Sequence, residues 1–427
     1  MHRNSDTHSD ASGNANDPRH NVSRDCSGAL KGSSEMRREW SEMYGFSVMS
    51  YNILADRYAK VHAQDLYSSV PKTCMKWSTR ASLIAREISH WLPDIVCLQE
   101  VDRFKHLQSL LNRHGYQGKY LQRSSGRPDG LAMFWKQGKL ALEHTEEICF
   151  ASHGMRDNVA QVCALRILTK QGDDMEASEK CSMNGQHGSS SDKSKRRIKP
   201  VIVVTNIHVL FNPKRGDIKL GQVRILLETL GQVASTFSDQ NDVSPPAILC
   251  GDFNSSPTSA LHKYITTGFL NVHSTHRSDV SGQIACSRKS VTIPADDEPQ
   301  VVLKRRHIKP WKAEEIEIAT GRSHQGGDRQ HCNSGSMSHP MSIKSSYAKV
   351  MGEEPAFSTA HDKYVGTVDY IFYTDGDDSS KWNIRPVQVL APPPLHKILP
   401  KGLPNGFWPS DHISLCTKFV MYRRISK

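Results

Sequence analysis

The sequence predicts an α+β fold in which two packed sheets form the core of one large domain and helices lie outside them. Three observations carry this. Short β-rich runs recur along the chain, some alternating and some continuously apolar, as strands covered on both faces are. Amphipathic helical patterns fall between them, each with one apolar face to set against a sheet. Strand runs also outnumber helices without alternating strictly with them, which argues against a doubly wound parallel sheet.

The elements follow in order. Residues 1–42 are polar and aperiodic, and predict a disordered tail. The strand runs are FSVMSYNIL (46–54), DIVCLQEV (94–101), DGLAMFW (129–135), NVAQVCALRIL (158–168), VIVVTNIHVL (201–210), PAILCGDFN (246–254), TVDYIFYT (367–374) and HISLCTKFVMY (412–422). STRASLIAREISHWL (78–92) sets Ile84, Ile88 and Trp91 on one helical face behind a Ser/Thr cap. DIKLGQVRILLETLGQVASTF (217–237) repeats Leu220, Val223, Leu227 and Leu230, with Asp217 placed to cap it. Two stretches, 170–199 and about 275–357, are polar, Gly/Ser-rich and aperiodic, and predict disordered insertions. What remains, about 260 to 290 residues, suits one sizeable domain.

The composition narrows the function classes. Lys+Arg number 55 against 44 Asp+Glu, a net charge of +11, so a polyanion such as nucleic acid is an apt partner. The ten cysteines lack paired spacing, and Cys97, Cys163, Cys250 and Cys416 sit inside apolar runs, which points to a reducing compartment. No N-terminal apolar region reads as a secretory signal and no window reads as a membrane span. The basic clusters KSKRRIKP (193–200) and KRRHIKP (304–310) read equally as a nuclear address and as solvated loop charge. Cytoplasm and nucleus are therefore the expected locations.

Polar residues interrupt or end these apolar runs: Asn52, Glu100, His208, Asp252, Asn254, Asp369, Asp411 and His412. Any one of them has an ordinary reading as a turn or a satisfied structural group. As a set at matching strand ends they converge on one edge of the sheets, where strand-end loops build sites. Glu100 offers a carboxylate oxygen and Asn52 an amide oxygen, while no zinc-type spacing of Cys or His occurs, so Mg²⁺ is the expected ion, with Mn²⁺ the alternative. A Mg²⁺ held by so few protein oxygens takes others from substrate phosphates.

SYNIL, CLQEVD, NIHVL, GDFNSSP, VDYIF and SDHISL, in this order, resemble the endonuclease/exonuclease/phosphatase superfamily. MSYNILAD, RPDGLAMFWK, RDNVAQ and HVLFNPKRGDIKLGQ resemble its carbon catabolite repressor 4, Angel and nocturnin group, nearest to plant-type homologues without leucine-rich repeats. The resemblance covers most of 46–270 and 357–422. It implies a four-layer αββα sandwich, with a single catalytic domain over 43–425.

It also implies roles. Glu100 is the principal metal ligand, with Asn52 beside it. His412, paired with a carboxylate, orients or deprotonates the attacking water or binds the scissile phosphate. Asp411 serves the metal or a histidine, Asp252 aligns the water, Asn254 donates to the phosphate, His208 is a second phosphate contact and Asp369 supports a histidine. Which Asp serves which His is not readable from spacing, because neighbours on a strand point to opposite faces.

For the substrate, Asn158 resembles a contact residue of the group. Lys214 and Arg215 read either as phosphate contacts or as solvated charge before a helix. Phe211, Phe407, Trp408 and Tyr364 are candidates for stacking on bases, against the default that aromatics fill cores. The implied function is a Mg²⁺-dependent 3′-to-5′ exoribonuclease that shortens poly(A) and releases 5′-AMP in mRNA turnover. The alternatives are an RNA 2′,3′-cyclic phosphatase, a nucleotide phosphatase and, last, a non-catalytic RNA-binding scaffold. The partners implied are an RNA 3′ end and, weakly without the repeats, a deadenylase complex.

Overall fold

The computed structural model describes residues 40–168, 200–238, 244–283, 310–321, 335–376, 382–398 and 402–424. The tail up to residue 39 and the 170–199 insertion lie outside the described residues. So do both basic clusters, save their last prolines.

Two mixed six-stranded sheets form the core. With strands numbered in chain order, the first contains β1 (Trp40–Asn52), β2 (Ile95–Gln99), β3 (Tyr116–Gln122), β4 (Gly130–Lys136), β15 (Asn383–Val389) and β16 (Leu415–Arg424), arranged β15-β16-β1-β2-β4-β3. The second contains β5 (Leu140–Cys149), β6 (Val159–Ile167), β7 (Val201–His208), β8 (Ala247–Asp252), β11 (Ile343–Ser345) and β14 (Asp369–Thr374), arranged β11-β14-β8-β7-β6-β5. Within them β1–β2 and β7–β8 are parallel pairs. Two small ribbons pair β9 (Phe269–Asn271) with β10 (Ser336–Ser338), and β12 (Thr359–His361) with β13 (Tyr364–Gly366).

The helices, also in chain order, are α1 (Asp56–Val61), α2 (Lys72–Met75), α3 (Trp77–Trp91), α4 (Phe104–Asn112), α5 (Gly216–Thr236), α6 (Ala260–Thr267), α7 (Ala313–Thr320), α8 (Ser346–Met351) and α9 (Leu395–Ile398). Helix α3 begins at Trp77 with Lys76 in the cap position and no side-chain cap bond, so the expected Ser/Thr cap is not used.

Side-chain alternation makes the four layers. Val48, Ile95, Cys97 and Met133 of the first sheet face inward and meet Cys163, Leu165, Val204, Ile248 and Cys250 of the second. Their neighbours Met49, Val96, Leu98 and Phe134 point outward and pack under Ile84 and Ile88 of α3 and Leu107 and Leu111 of α4. On the far side Val162, Val203, Ile207 and Leu249 lie beneath Val223, Leu226, Leu227 and Leu230 of α5. Strands buried on both faces must be apolar at every position, which is why these runs do not alternate.

One expectation is corrected. Between 275 and 357 the chain is not uniformly structureless: α7, β10, β11 and α8 lie there, and β11 closes one edge of the second sheet. These elements are short and each holds a single buried apolar residue, Ala319, Met337, Ile343 and Tyr347 in turn, so no periodicity announces them. Residues 284–309 and 322–334 lie outside the described residues. No described helix is long and apolar enough to cross a membrane.

Candidate active site

The register brings polar residues from separate runs to one end of the sandwich. In the second sheet Asp252 is paired with His208 on one side and with Asp369 on the other. In the first, Asn52 pairs with Gln99, so Glu100 emerges at the same edge. Gly251 makes the pairing with β7 close: a Cβ there would lie 2.1 Å from the Ile207 carbonyl oxygen, so only glycine admits this approach next to Asp252.

Three non-glycine residues at this edge hold left-handed backbone: Leu54 (φ +55°), Glu100 (φ +56°) and Asn254 (φ +48°). Each costs of order 1 kcal/mol and persists because neighbouring groups fix it. Asn52 Oδ1 accepts from Leu54 N at 3.1 Å, and Asp252 Oδ1 accepts from Asn254 N at 2.9 Å. Buried Arg80 donates from one guanidinium nitrogen to the carbonyls of Ile53 (2.9 Å), Leu54 (2.8 Å) and Pro409 (3.2 Å), tying the segment after Asn52 to the one before Asp411.

Asp252 Oδ2 is the point of convergence. Asn52 Nδ2 lies 3.1 Å from it, His208 Nε2 3.4 Å and His412 Nε2 3.9 Å. Burial and the neighbouring Asp369 charge push the Asp252 pKa up to about 7, against the pull of His412, the Asn254 N–H and the Asn52 amide.

The pairing left open by the sequence is decided by contact. His412 Nδ1 meets Asp369 Oδ2 at 2.7 Å, and Ser358 Oγ donates to the same oxygen at 2.6 Å. Its sequence neighbour Asp411 turns elsewhere and accepts from Tyr67 OH at 2.8 Å. Burial would lower the His412 pKa, but Asp369, then Asp411 and Asp252, outweigh it and hold it well above the usual histidine value. His208 is held well below that value by burial and then by the positive charges of Arg123, His412 and Lys219.

Glu100 accepts from Ala55 N (3.0 Å) and Asn52 Nδ2 (3.2 Å), and among the described residues no lysine or arginine pairs with it. Loss of water and then the Asp411 and Asp129 carboxylates push its pKa up to about 7. Clustered carboxylates without an organic counter-ion are the hard-oxygen donor set that suits a divalent cation, so Glu100 fits the metal role. Asn52 lies beside Glu100: its oxygen accepts from Leu54 N–H and its nitrogen faces both carboxylates, so it bridges Glu100 to Asp252 with one lone pair of Oδ1 left. Asp252, Asp369 and His412 also place donor atoms within 4.8 Å of one another.

Of these groups Glu100, His208, Asp252, Asp411 and His412 line a cleft of about 490 Å³ with Asn158, Asn254, Phe211, Tyr364, Tyr58 and Tyr67. A second cavity, of about 540 Å³, opens at the opposite ends of β1 and β2. Its one carboxylate, Asp94, is tied to Ser47 N (3.0 Å) and Lys139 (2.9 Å) and no histidine lines it, so the convergent chemistry belongs to the first cleft.

The substrate-side candidates divide. Phe211 is 66% exposed at the cleft, and Asn158 is fixed there by donating to His208 O at 2.9 Å and accepting from Gln222 at 3.2 Å. Trp408 is not at the cleft. It is 8% exposed and packs in the cluster between the sheets with Leu403 and Ile413, the ordinary fate of a large aromatic. Lys214 and Arg215 do not line the cleft either. Lys214 is exposed outside it, and Arg215 is drawn onto Asp217 in the first turn of α5 (Nη2–Oδ2 2.7 Å), which also means that Asp217 binds a side chain rather than capping the helix. The cations that do line the cleft, Arg123, Arg127 and Lys363, are each in an ion pair, the arginines with Asp157 and the lysine with Asp65.

Sequence reasoning missed Tyr67, Ser358, Arg80, Arg123 and Lys219. Only Lys219 carries a signal: it shares a helical face with Val223, Leu226 and Leu230, a lysine inside an apolar stripe.

A two-sheet sandwich with a carboxylate–histidine cluster at one edge defines an enzyme of the nuclease and phosphatase class. The chain belongs to the Endonuclease/Exonuclease/phosphatase family, whose profile matches residues 49–412. Carbon catabolite repressor protein 4 homolog 3 of Arabidopsis thaliana is 34% identical over 406 residues, 91% of this chain and 80% of the relative. Protein angel homolog 2 of Mus musculus is 28% identical over 415 residues, 88% of this chain and 70% of the relative. Among solved structures, that of ANGEL2, a 2′,3′-cyclic phosphatase, in complex with adenosine-2′,3′-vanadate matches with a TM-score of 0.67 and 28% identity, covering 90% of this chain and 97% of that one.

Proposed function

We propose that this protein is a Mg²⁺-dependent 3′-to-5′ exoribonuclease of the poly(A)-shortening type, taking Mn²⁺ as the alternative ion and releasing 5′-AMP. The observation that carries the reading is the convergence of Asn52, His208 and His412 on Asp252 Oδ2 at 3.1, 3.4 and 3.9 Å. A water beside that oxygen gives its proton to Asp252 as it attacks the phosphorus, and the P–O bond to the 3′ oxygen of the preceding nucleotide breaks in line with it, that oxygen taking a proton from solvent. The His412 imidazolium, charged against Asp369, faces the phosphate oxygen on which charge develops. His208, kept neutral, donates to the phosphate without adding a second buried charge. The second N–H of the Asn254 amide, whose first goes to Val209 O at 3.0 Å, is directed to the same phosphate.

Glu100 is the residue that would hold the ion. Bound there, the ion supplies Lewis-acid charge neutralisation at the phosphate oxygens and lowers the pKa of a coordinated water. The terminal base stacks on exposed Phe211, worth about 1–3 kcal/mol. The partner is a single-stranded RNA 3′ end in cytoplasm or nucleus.

A second reading keeps the site and changes the ester. The match to ANGEL2 bound to adenosine-2′,3′-vanadate favours opening of a terminal 2′,3′-cyclic phosphodiester, which needs the same attack by water. One experiment separates the two. The purified chain is incubated in Mg²⁺ with 3′-labelled poly(A), with cyclic-phosphate-ended RNA and with NADP. Stepwise shortening of poly(A) supports the exoribonuclease; conversion of the cyclic end alone replaces it with the phosphatase.

A further inference from the structure

Lys219 lies in the first turns of α5 with its side chain wholly buried, and its Nζ donates to the backbone carbonyl of Asn254 at 2.7 Å. Among the described residues no carboxylate lies within ion-pair distance of it. A buried ammonium with one carbonyl partner is costly, and an apolar residue would fill this place in the helix at lower cost. Burial presses its pKa down to about 7, opposed by Asp252.

Its hydrogen-bond partner among the described residues is held in strained backbone. Asn254 holds φ +48°, donates from its own N–H to Asp252 Oδ1 at 2.9 Å and reaches Val209 O with its side-chain amide at 3.0 Å. Asn254 is thus held through both of its backbone groups, its N–H by Asp252 and its carbonyl by Lys219.

We infer that Lys219 is a positioning residue of the active site. By grasping the Asn254 carbonyl it holds that residue in its left-handed conformation, so that the amide faces the phosphate and the backbone N–H stays on Asp252. The inference rests on the reading that Asn254 meets the phosphate. It assigns Lys219 no contact with substrate.

The test is a double-mutant cycle in the full chain with Lys219→Met and Asn254→Ala, assayed on poly(A), on cyclic-phosphate-ended RNA and on bis(4-nitrophenyl) phosphate. The last substrate keeps the cycle usable if the RNA reading is wrong, and a wild type inactive on all three overturns both the reading and this inference. Each single variant is expected to lower kcat about 100-fold, the scale of losing one aligned donor to a developing oxyanion, with KM within about threefold of wild type. The double variant is expected to be no slower than the worse single one. Thermal melts establish folding, and if Lys219→Met does not fold, Lys219→Gln carries the same cycle. Losses that multiply, a change confined to KM, or a folded variant with wild-type kcat would overturn the role.

Discussion

Asp369 Oδ2 takes two short hydrogen bonds, from His412 Nδ1 at 2.7 Å and from Ser358 Oγ at 2.6 Å, so the histidine and its carboxylate are locked as a pair. The Asp369 backbone and the Ser358 hydroxyl are tied in turn, since the Asp369 N–H donates to Ser358 Oγ at 3.0 Å. Asp369→Asn keeps the shape and removes the charge that holds the His412 pKa up. In the proposed mechanism the protonated imidazole faces the phosphate, so activity is expected to fall as pH rises through the His412 pKa. Losing Asp369 lowers that pKa, and the basic limb of the kcat profile is expected to move to lower pH, with kcat down about 10²- to 10⁴-fold. A basic limb left in place by Asp369→Asn would refute the pairing's role.

Glu100 makes a prediction about stability as well as turnover. Its folded pKa of about 7 lies above the ordinary value of 4.5, so between these pH values the folded chain binds more protons than the unfolded one. Stability therefore falls as pH rises from 4.5 to 7, and the deficit is complete above 7. Glu100→Gln in EDTA at pH 8 is expected to be more stable than wild type by about 1–3 kcal/mol in urea melts, the scale set by such a shift. Mg²⁺ is expected to raise the Tm of the wild type, and the same variant is expected to lose both turnover and that rise. An unchanged Mg²⁺-dependent rise would remove Glu100 from the metal site.

Phe211 and Trp408, both candidates for base stacking, separate by burial. Phe211→Ala is expected to weaken binding by about 1–3 kcal/mol, seen as a higher KM for RNA with kcat and Tm nearly unchanged. Trp408→Ala is expected to cost about 3–5 kcal/mol of stability, seen in the melt, because it empties part of the core between the sheets. If Trp408→Ala melts like wild type and raises KM, its placement in the core is wrong.

What was legible in the sequence follows from where each element sits. Interior strands such as β2, β7 and β8 are covered on both faces and announce themselves as mainly apolar runs, and the polar residues at or just after their C-terminal ends, Glu100, His208 and Asp252, are cleft residues. Of the longer strands, β3, β5 and β15 escaped notice, and all three are sheet edges. β5 leaves His144, Glu143, Glu146 and Glu147 wholly or partly in solvent, so its composition is that of a charged loop. Tyr67 and Arg80 were silent for another reason. The contacts that tie them across the cleft edge, Tyr67 to Asp411 and Arg80 to the Pro409 carbonyl, span more than 300 residues, and no local pattern encodes a contact at that separation.

Lys219 supplies the last prediction, through linkage rather than catalysis. In the unfolded chain its amine keeps the ordinary pKa of 10.5, whereas in the folded chain burial brings it to about 7. Between these values the unfolded state binds more protons, so the contribution of this residue makes stability rise with pH from about 7 to 10.5. Below 7 the buried amine is charged in the fold and its cost is greatest. Methionine at this position does not titrate. The stability of wild type measured against Lys219→Met is therefore expected to improve by about 2–3 kcal/mol between pH 6 and pH 9 in parallel urea melts. Glu100 and Asp252 titrate in both proteins and largely cancel from the difference, which leaves the amine as its source. A difference independent of pH would mean that Lys219 keeps its proton over this range, held by a charge partner that the burial and the single Asn254 contact do not supply.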